Sequence, residues 1–474
     1  MRSALKATAL LGSSSLITIA LGLVTAKIWA GLIGPVGYGH IGLLQSAMTI
    51  LMMLTELGLS TAIVRQSGPA IARGDQKEVL EIWRSATLIS LPILSSAGVL
   101  MFLFHERLGA FLLGQTHSGT DLLYLFVTVW FGVATTIRTG LINAYRKIKV
   151  LAGINVGLNV LGTAVMLGFV LPLGIRGIAP GLAVGAGVRW LAVSVALWKS
   201  TGLIFPPLRA SVRYGRELLG SGIPLAASVM VGPGVQYFLP VIILHLSDKH
   251  AVGLYQAANS IVFTLISFLL TATGQDFFPR VSAAGNEPGV LKSLAQQQLH
   301  LLLLLGIPLL LGIKWGVSWA LPYVLSGEFS RIEDILDWHL PGELFRFSSV
   351  SLGYVMLARA SGVAVFVPAL VNGAVMLIAT YALVPGMDIA GLGFAFTISQ
   401  LVYLVIVVVQ VRGRFGFGLG GDAYLITAGL AGLMLPNFLP RDPAYLRFTV
   451  QLLFAGCATL YSAYHLRREW AAFR

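Results

Sequence analysis

Gly42-Leu43-Leu44-Gln45-Ser46-Ala47 and Gly253-Leu254-Tyr255-Gln256-Ala257-Ala258 are two versions of one pattern. Each follows a polar or glycine-rich turn, and each opens a long apolar run. Counting apolar runs outward, both stretches begin the second helix of a block of six. The blocks cover residues 1–205 and 206–415. Six spans is an even number, so both blocks insert the same way up. Their symmetry axis then runs along the membrane normal, as in transporters built from parallel repeats. Two further runs, within 416–474, stand outside the repeat.

Composition agrees with a chain made almost wholly of membrane spans. Of 474 residues, 56% are hydrophobic and 11% charged, and mean hydropathy is +0.84. A soluble domain carries about 25% charged residues, because its surface faces water. A hydrocarbon core of ~30 Å needs about 20 apolar residues per helix. Runs of this kind fall at roughly 8–33, 40–65, 84–104, 121–143, 151–172, 178–198, 217–246, 251–276, 295–325, 339–358, 363–385, 389–411, 423–440 and 446–466. The sequence therefore predicts an all-α integral membrane protein of about fourteen transmembrane helices: two six-helix lobes related by a pseudo-twofold, plus two C-terminal helices. The stretch to Ile33 is too long for a signal-peptide core and contains Lys27, so it reads as the first span.

The net charge of +13 is a topology signal. Basic residues gather in alternate loops: Arg2 and Lys6, Arg73 and Lys77, Arg146 to Lys149, Arg209 to Arg216, Arg280 and Lys292, Arg412 and Arg414, Arg467 to Arg474. The intervening loops are poor in them; the largest carries Glu328, Glu333, Asp334 and Asp337 against Arg331. The positive-inside rule puts both termini in the cytoplasm. Nucleic-acid binding would need a basic face on a soluble domain, and no such domain fits here. Pro206 and Pro207 end the sixth span. The seventh holds Pro224, Pro233 and Pro240 with several glycines, and is expected to be kinked or broken beside the substrate cavity.

Motifs for soluble chemistry are missing. Gly37-Tyr38-Gly39-His40-Ile41-Gly42 matches G-x-G-x-x-G but lies between two membrane runs, with no strand before it, and reads as a tight turn. The sequence has no Gly-Lys dipeptide, hence no Walker A loop, and no H-E-x-x-H or G-x-S-x-G. Its one cysteine, Cys457, allows no internal disulfide. No cofactor and no metal site is expected.

The informative residues are charges at membrane depth, each costing about 2.5–3.5 kcal/mol on insertion scales. Glu56 lies near the middle of the second span and Arg189 within the sixth. Glu343 and Arg346 lie one turn apart on one face of the tenth. Lys27 and Lys314 lie several residues inside their helix ends; Arg138 and Asp276 lie nearer the cytoplasmic ends. Snorkelling or structural pairing is the simplest account of Arg138, Asp276 and Lys314. Glu56 and Arg346 reach an interface less easily, and Glu343 is placed to orient Arg346.

Three stretches in order carry a family resemblance. Lys27-Ile28-Trp29-Ala30 leads into Gly34-Pro35-Val36-Gly37-Tyr38-Gly39 and Gln45. Gly253-Leu254-Tyr255-Gln256 is followed by Phe278-Pro279-Arg280-Val281-Ser282. Gly342-Glu343-Leu344-Phe345-Arg346 precedes Gly353-Tyr354 and Ala358-Arg359. Together they resemble the Wzx-type flippases of lipid-linked O-antigen or enterobacterial common antigen units, in the multidrug/oligosaccharidyl-lipid/polysaccharide superfamily. Two departures stand out: many members have twelve helices, and Arg346 and Arg359 stand where lysine is frequent. The resemblance implies alternating access in the bacterial inner membrane and a substrate carried on undecaprenyl pyrophosphate. It also implies a polysaccharide polymerase and a chain-length regulator as protein partners. Substrate contacts are then expected from Lys27, Arg346, Glu343, Arg189, Gln45 and Gln256, with Glu56 as the site of a coupling H⁺ or Na⁺. The rivals are a multidrug exporter of the same superfamily, which would favour acids and aromatics for cationic drugs, and a membrane polysaccharide polymerase or ligase, which would show a large external catalytic loop.

Overall fold

The structure is a computed structural model that describes residues 2–114, 119–203, 214–284, 287–360, 362–419 and 423–438, with isolated positions between 453 and 461. Within the helices, some side chains, including those of 2–23 and 221–233, are outside that set. The expected span 446–466 with Cys457, the connector carrying Pro206, Pro207, Arg209 and Arg213, and the Asp276 side chain all lie outside the described residues.

The described backbone is helical. In chain order it runs α1 (Arg2–Glu56), α2 (Leu59–Ala72), α3 (Gln76–Leu103), α4 (His105–Leu113), α5 (Gly119–Ala144), α6 (Ile148–Leu173), α7 (Ile178–Thr201), α8 (Gly215–Leu246), α9 (Lys249–Ala283), α10 (Pro288–Val324), α11 (Ile332–Arg359), α12 (Gly362–Met387), α13 (Ala390–Phe415) and α14 (Ala423–Met434). Among the described residues, seven stretches are each long and apolar enough to cross a bilayer. Val24–Glu56 and Leu59–Ala72, bent by 43°, pass together as an eighth. The expected spans from 84–104 to 389–411 each coincide with one long helix. This is a multi-pass, all-helical membrane fold.

Three local expectations need correction. Gly37–Gly42 is helical, not a turn. The turn is one residue, Gly34, at φ 59 and ψ −172, and Pro35 restarts the helix with a φ already suited to it. Only glycine adopts that conformation without strain, and a Cβ there would also lie 2.9 Å from Glu328 Oε2. Second, the run 40–65 is not one helix. It breaks after Glu56, where Leu57 (φ 48) and Gly58 (φ 70) both turn left-handed. Third, α8 is one continuous helix through Pro224, Pro233 and Pro240, kinked at most and not broken. Helices α3, α11 and α12 likewise continue through Pro92, Pro341 and Pro368. In a membrane, neighbouring helices and local adjustment satisfy the carbonyls that proline frees.

Contacts gather the chain into two compact units, one of Val36–His245 and one of Met1–Pro35 with Leu246–Arg474. In the first, α5 packs on α2, α3 and α7, and α6 packs on α7. Its core holds Leu59, Ile63, Ile82, Trp83, Val133, Ile137 and Leu141. Gly140 lets α5 approach α2 closely, since a Cβ would lie 2.8 Å from the Ser60 carbonyl. Asp75 caps α3, accepting from the Glu78 amide at 3.0 Å.

In the second unit α11 is central, packed by α9, α10, α13 and α14. It is too polar to be a lipid-facing span on its own; protein encloses most of it instead of lipid, and that enclosure permits its charges. Glycines bring the neighbours close. A Cβ on Gly393 of α13 would collide with the Ile335 carbonyl of α11, and one on Gly306 of α10 with the fully buried Phe347 ring. Asp248 caps α9, accepting from the Ala251 amide at 2.7 Å. At the surface, Arg331 bonds Asp388 at 2.5 Å, and that bond holds its guanidinium above the ordinary range.

Candidate substrate and ion site

Helix α11 opens with Glu333 and Asp334 and closes with Arg359, charges that suit the helix dipole at each end. Between them His339, Glu343 and Arg346 share one face, four and then three residues apart. Glu343 is 1% exposed. Its carboxylate accepts from Arg346 Nη1 at 3.2 and 3.4 Å and lies 3.5 Å from His339 Nε2. His339 is itself buried, its ring stacked on Phe396 of α13 at 3.8 Å and 4°. Gly342 makes room for this contact, because a Cβ there would meet the Phe396 ring at 2.7 Å. The Arg346 side chain is 29% exposed. Among the described residues only its Nη1 is engaged, so the outer part of a planar, always-charged fork remains able to donate.

A second charged cluster lies nearer the start of α11. Lys314 of α10 is buried and donates to Asp337 Oδ1 at 3.0 Å, to the Leu433 carbonyl at 2.7 Å and to Asn437 Oδ1 at 2.5 Å. Asn437 donates in turn to the Asp337 carbonyl at 2.9 Å. All three ammonium protons have acceptors, and the cluster ties α10, α11 and the segment after α14 together.

The other expected residues are more dispersed. Lys27 is exposed on α1, just before the buried Trp29 and Ala30. Gln45 is exposed while the other five residues of Gly42–Ala47 are buried. Gln256 is half-buried while the other five of Gly253–Ala258 are buried. The two copies of the repeat thus share one burial pattern, with the glutamine as the residue that escapes. Arg189 is exposed on α7. Glu56, half-buried, ends α1 at the break and hydrogen-bonds Ser60 across it. Lys27, Gln256, Glu343 and Arg346 belong to one compact unit, and Gln45, Glu56 and Arg189 to the other. Of these residues, Glu343 and Arg346 are brought into a direct bond.

Three features escaped the sequence reading. His339 is not among the charges that membrane depth singles out; its spacing of four to Glu343 is the signal for it. Arg138 donates Nη1 to the Ala134 carbonyl at 2.7 Å, and its guanidinium carbon lies 5.7 Å from the Trp83 ring and 5.2 Å from the Trp190 ring. It is held by two indoles. Arg359 donates Nη2 to the Val281 and Ser282 carbonyls at 3.0 and 2.9 Å. The base closing the third quoted stretch therefore caps the helix that ends in the second. Among the described residues no group of three or more His, Cys, Asp or Glu is placed to hold a metal ion.

Known proteins bear on this arrangement. The Lipid III flippases of Escherichia coli (strain K12) and Shigella flexneri are each 19% identical to the chain over 410 residues, covering 84% of it and 95% of each flippase. A solved structure of the Lipid II flippase MurJ in an inward closed conformation matches 98% of the chain and all of its own, with TM-score 0.76 at 15% identity. An inward-facing multidrug resistance MATE family transporter of the MOP superfamily matches 85% of the chain and 94% of its own, with TM-score 0.65 at 14% identity. These relatives are flippases and transporters, not enzymes, and the fold is theirs. The polysaccharide biosynthesis protein family matches residues 4–284, and the chain belongs to that family.

Proposed function

We propose that the chain is a flippase that moves undecaprenyl-pyrophosphate-linked oligosaccharide units across the bacterial inner membrane, by alternating access of two six-helix lobes. Both ends of the chain lie in the cytoplasm in this reading. The observation that carries it is Arg346. A guanidinium anchored through one nitrogen to a buried carboxylate, with its outer face accessible, is preorganised for a pyrophosphate oxygen pair. Lys27 contributes a second, point-like charge; Arg189, Gln45 and Gln256 offer donors to phosphate or sugar. The similarity to the two lipid-carrier flippases supports this substrate class.

Without an ATPase motif, energy comes from an ion gradient, the membrane potential or a substrate gradient. Glu56 is the proposed H⁺ or Na⁺ site: a carboxylate at a helix break, where backbone groups freed by the left-handed Leu57 and Gly58 are available to a cation. The test is flipping of an undecaprenyl-pyrophosphate-linked glycan in vesicles containing the purified chain. Acceleration that depends on a pH or Na⁺ gradient supports the reading, and Glu56→Gln should remove the gradient dependence while inserting normally. Efflux of cationic drugs with no glycan movement would transfer the chain to the multidrug reading, which the MATE-like fold also accommodates.

A further inference from the structure

Helices α6 and α7 are antiparallel, joined by the short helical turn Gly174–Gly177, so the start of α6 and the end of α7 lie at the same level. A groove of about 810 Å³ runs between them. Its floor and walls are aliphatic: Val150, Ile154 and Leu161 from α6, and Val188, Leu191 and Val195 from α7. Leu161, Leu191 and Val195 are 46%, 57% and 38% exposed, so the groove opens sideways and not into the unit's core. Its one charged end is formed by Lys147, at the start of α6, and Lys199, in the last turn of α7. Both lysines are exposed, and neither has an acidic partner among the described residues. Trp198, beside Lys199, is 50% exposed, as an aromatic at headgroup level would be.

We propose that this groove binds one anionic phospholipid of the leaflet on the basic-loop side, the phosphate between Lys147 and Lys199 and an acyl chain along α6 and α7. Charge complementarity selects the head, because two unpaired ammonium groups attract a net negative phosphate and disfavour a zwitterionic lipid's own cation. Length selects the tail. Lys147 to Leu161 spans fourteen residues, about 21 Å of helix, against about 15 Å for half of the hydrocarbon core. The groove therefore reaches just past the midplane, the length of one leaflet's acyl chain, and a fifty-five-carbon polyprenyl chain would overrun it. The site is independent of the residues assigned to the transported substrate.

The test uses the full chain in vesicles with phosphatidylglycerol or phosphatidylcholine carrying a photoreactive group on the acyl chain, and reads labelling of the α6 and α7 peptides. Phosphatidylglycerol should label them about thirtyfold more than phosphatidylcholine, on the basis of roughly 1 kcal/mol for each of the two surface lysines. The Lys147→Gln/Lys199→Gln variant should bring the two lipids to parity. Ala192→Phe, which fills the groove, should lower both, and Arg412→Gln/Arg414→Gln in the other unit should change nothing. Equal labelling in the wild type, or a preference that survives the lysine double variant, would overturn the proposal. So would displacement by undecaprenyl pyrophosphate at lower concentration than by unlabelled phosphatidylglycerol.

Discussion

Asp337 and Glu343 are buried acids on the same helix, less than two turns apart, and each holds a cation. Their surroundings differ. The Asp337 partner, Lys314, is 3% exposed at its side chain and spends its three protons on acceptors from α11, α14 and the turn after α14. The Glu343 partner, Arg346, is 29% exposed and spends one nitrogen of three. Depth alone does not separate these two charges; the fraction of donors already used does. A saturated ammonium has nothing left to offer a ligand. A guanidinium held at one corner has most of its hydrogen-bonding capacity left and a fixed direction in which to offer it.

The largest effect expected from this contrast is on stability. Lys314→Met should destabilise the chain by about 3–5 kcal/mol, because Asp337 becomes a buried, uncompensated charge. Folded yield in membranes and thermal unfolding in detergent would show it. Lys314→Met/Asp337→Leu should recover most of the loss, since an apolar pair replaces the ionic one at similar volume. If the single variant is as stable as the parent, the cluster near the start of α11 is not the saturated ion pair described above.

Arg346 should show the opposite profile. Arg346→Gln should be made at near-normal levels yet lose at least tenfold in glycan flipping, with lipid-linked glycan accumulating on the cytoplasmic leaflet. Arg346→Lys should retain partial activity, keeping charge and losing the fork. Lys27→Gln should be milder than Arg346→Gln. Normal flipping by a well-folded Arg346→Gln would reduce the residue to a partner for Glu343 and erase the contrast.

The smallest effect belongs to an exposed pair near the start of α11, between Arg331 just before that helix and Asp388 between α12 and α13. Arg331→Gln removes the bonds to Asp388 and Asp334, and both Arg331 and Asp388 are about half exposed. Such pairs contribute about 0–1 kcal/mol. The unfolding temperature should move little, and less in high salt. A shift as large as that of Lys314→Met would mean that enclosure is not what sets the strength of these pairs.

Hydropathy made the spans legible, because twenty apolar residues have few alternatives to a membrane helix. The Glu343–Arg346 pair was legible because helical spacing alone puts the two on one face. What escaped depends on contacts distant in sequence. Nothing near Lys314 announces Asn437, and nothing near Arg138 announces that Trp83 and Trp190 converge on it. The turn at Gly34 and the break at Leu57 escaped for another reason. Each is one or two residues of left-handed backbone inside an apolar run, and hydropathy does not register backbone conformation.

Each copy of the Gly–Leu–x–Gln repeat leaves its glutamine as the one residue not buried. A primary amide has two N–H donors and a carbonyl acceptor, and hydrocarbon answers none of them. An amide at this depth is stable only where water or a polar guest reaches it. In the flippase reading proposed above, Gln45 and Gln256 mark a hydrated lining, one position in each unit. If the two blocks descend from a duplicated ancestor, that half-length ancestor already carried a wet surface before a second copy joined it. Solvent access would then be older than the two-unit architecture, and the later specialisation of Glu56 in one unit and Arg346 in the other would have been built around water already present.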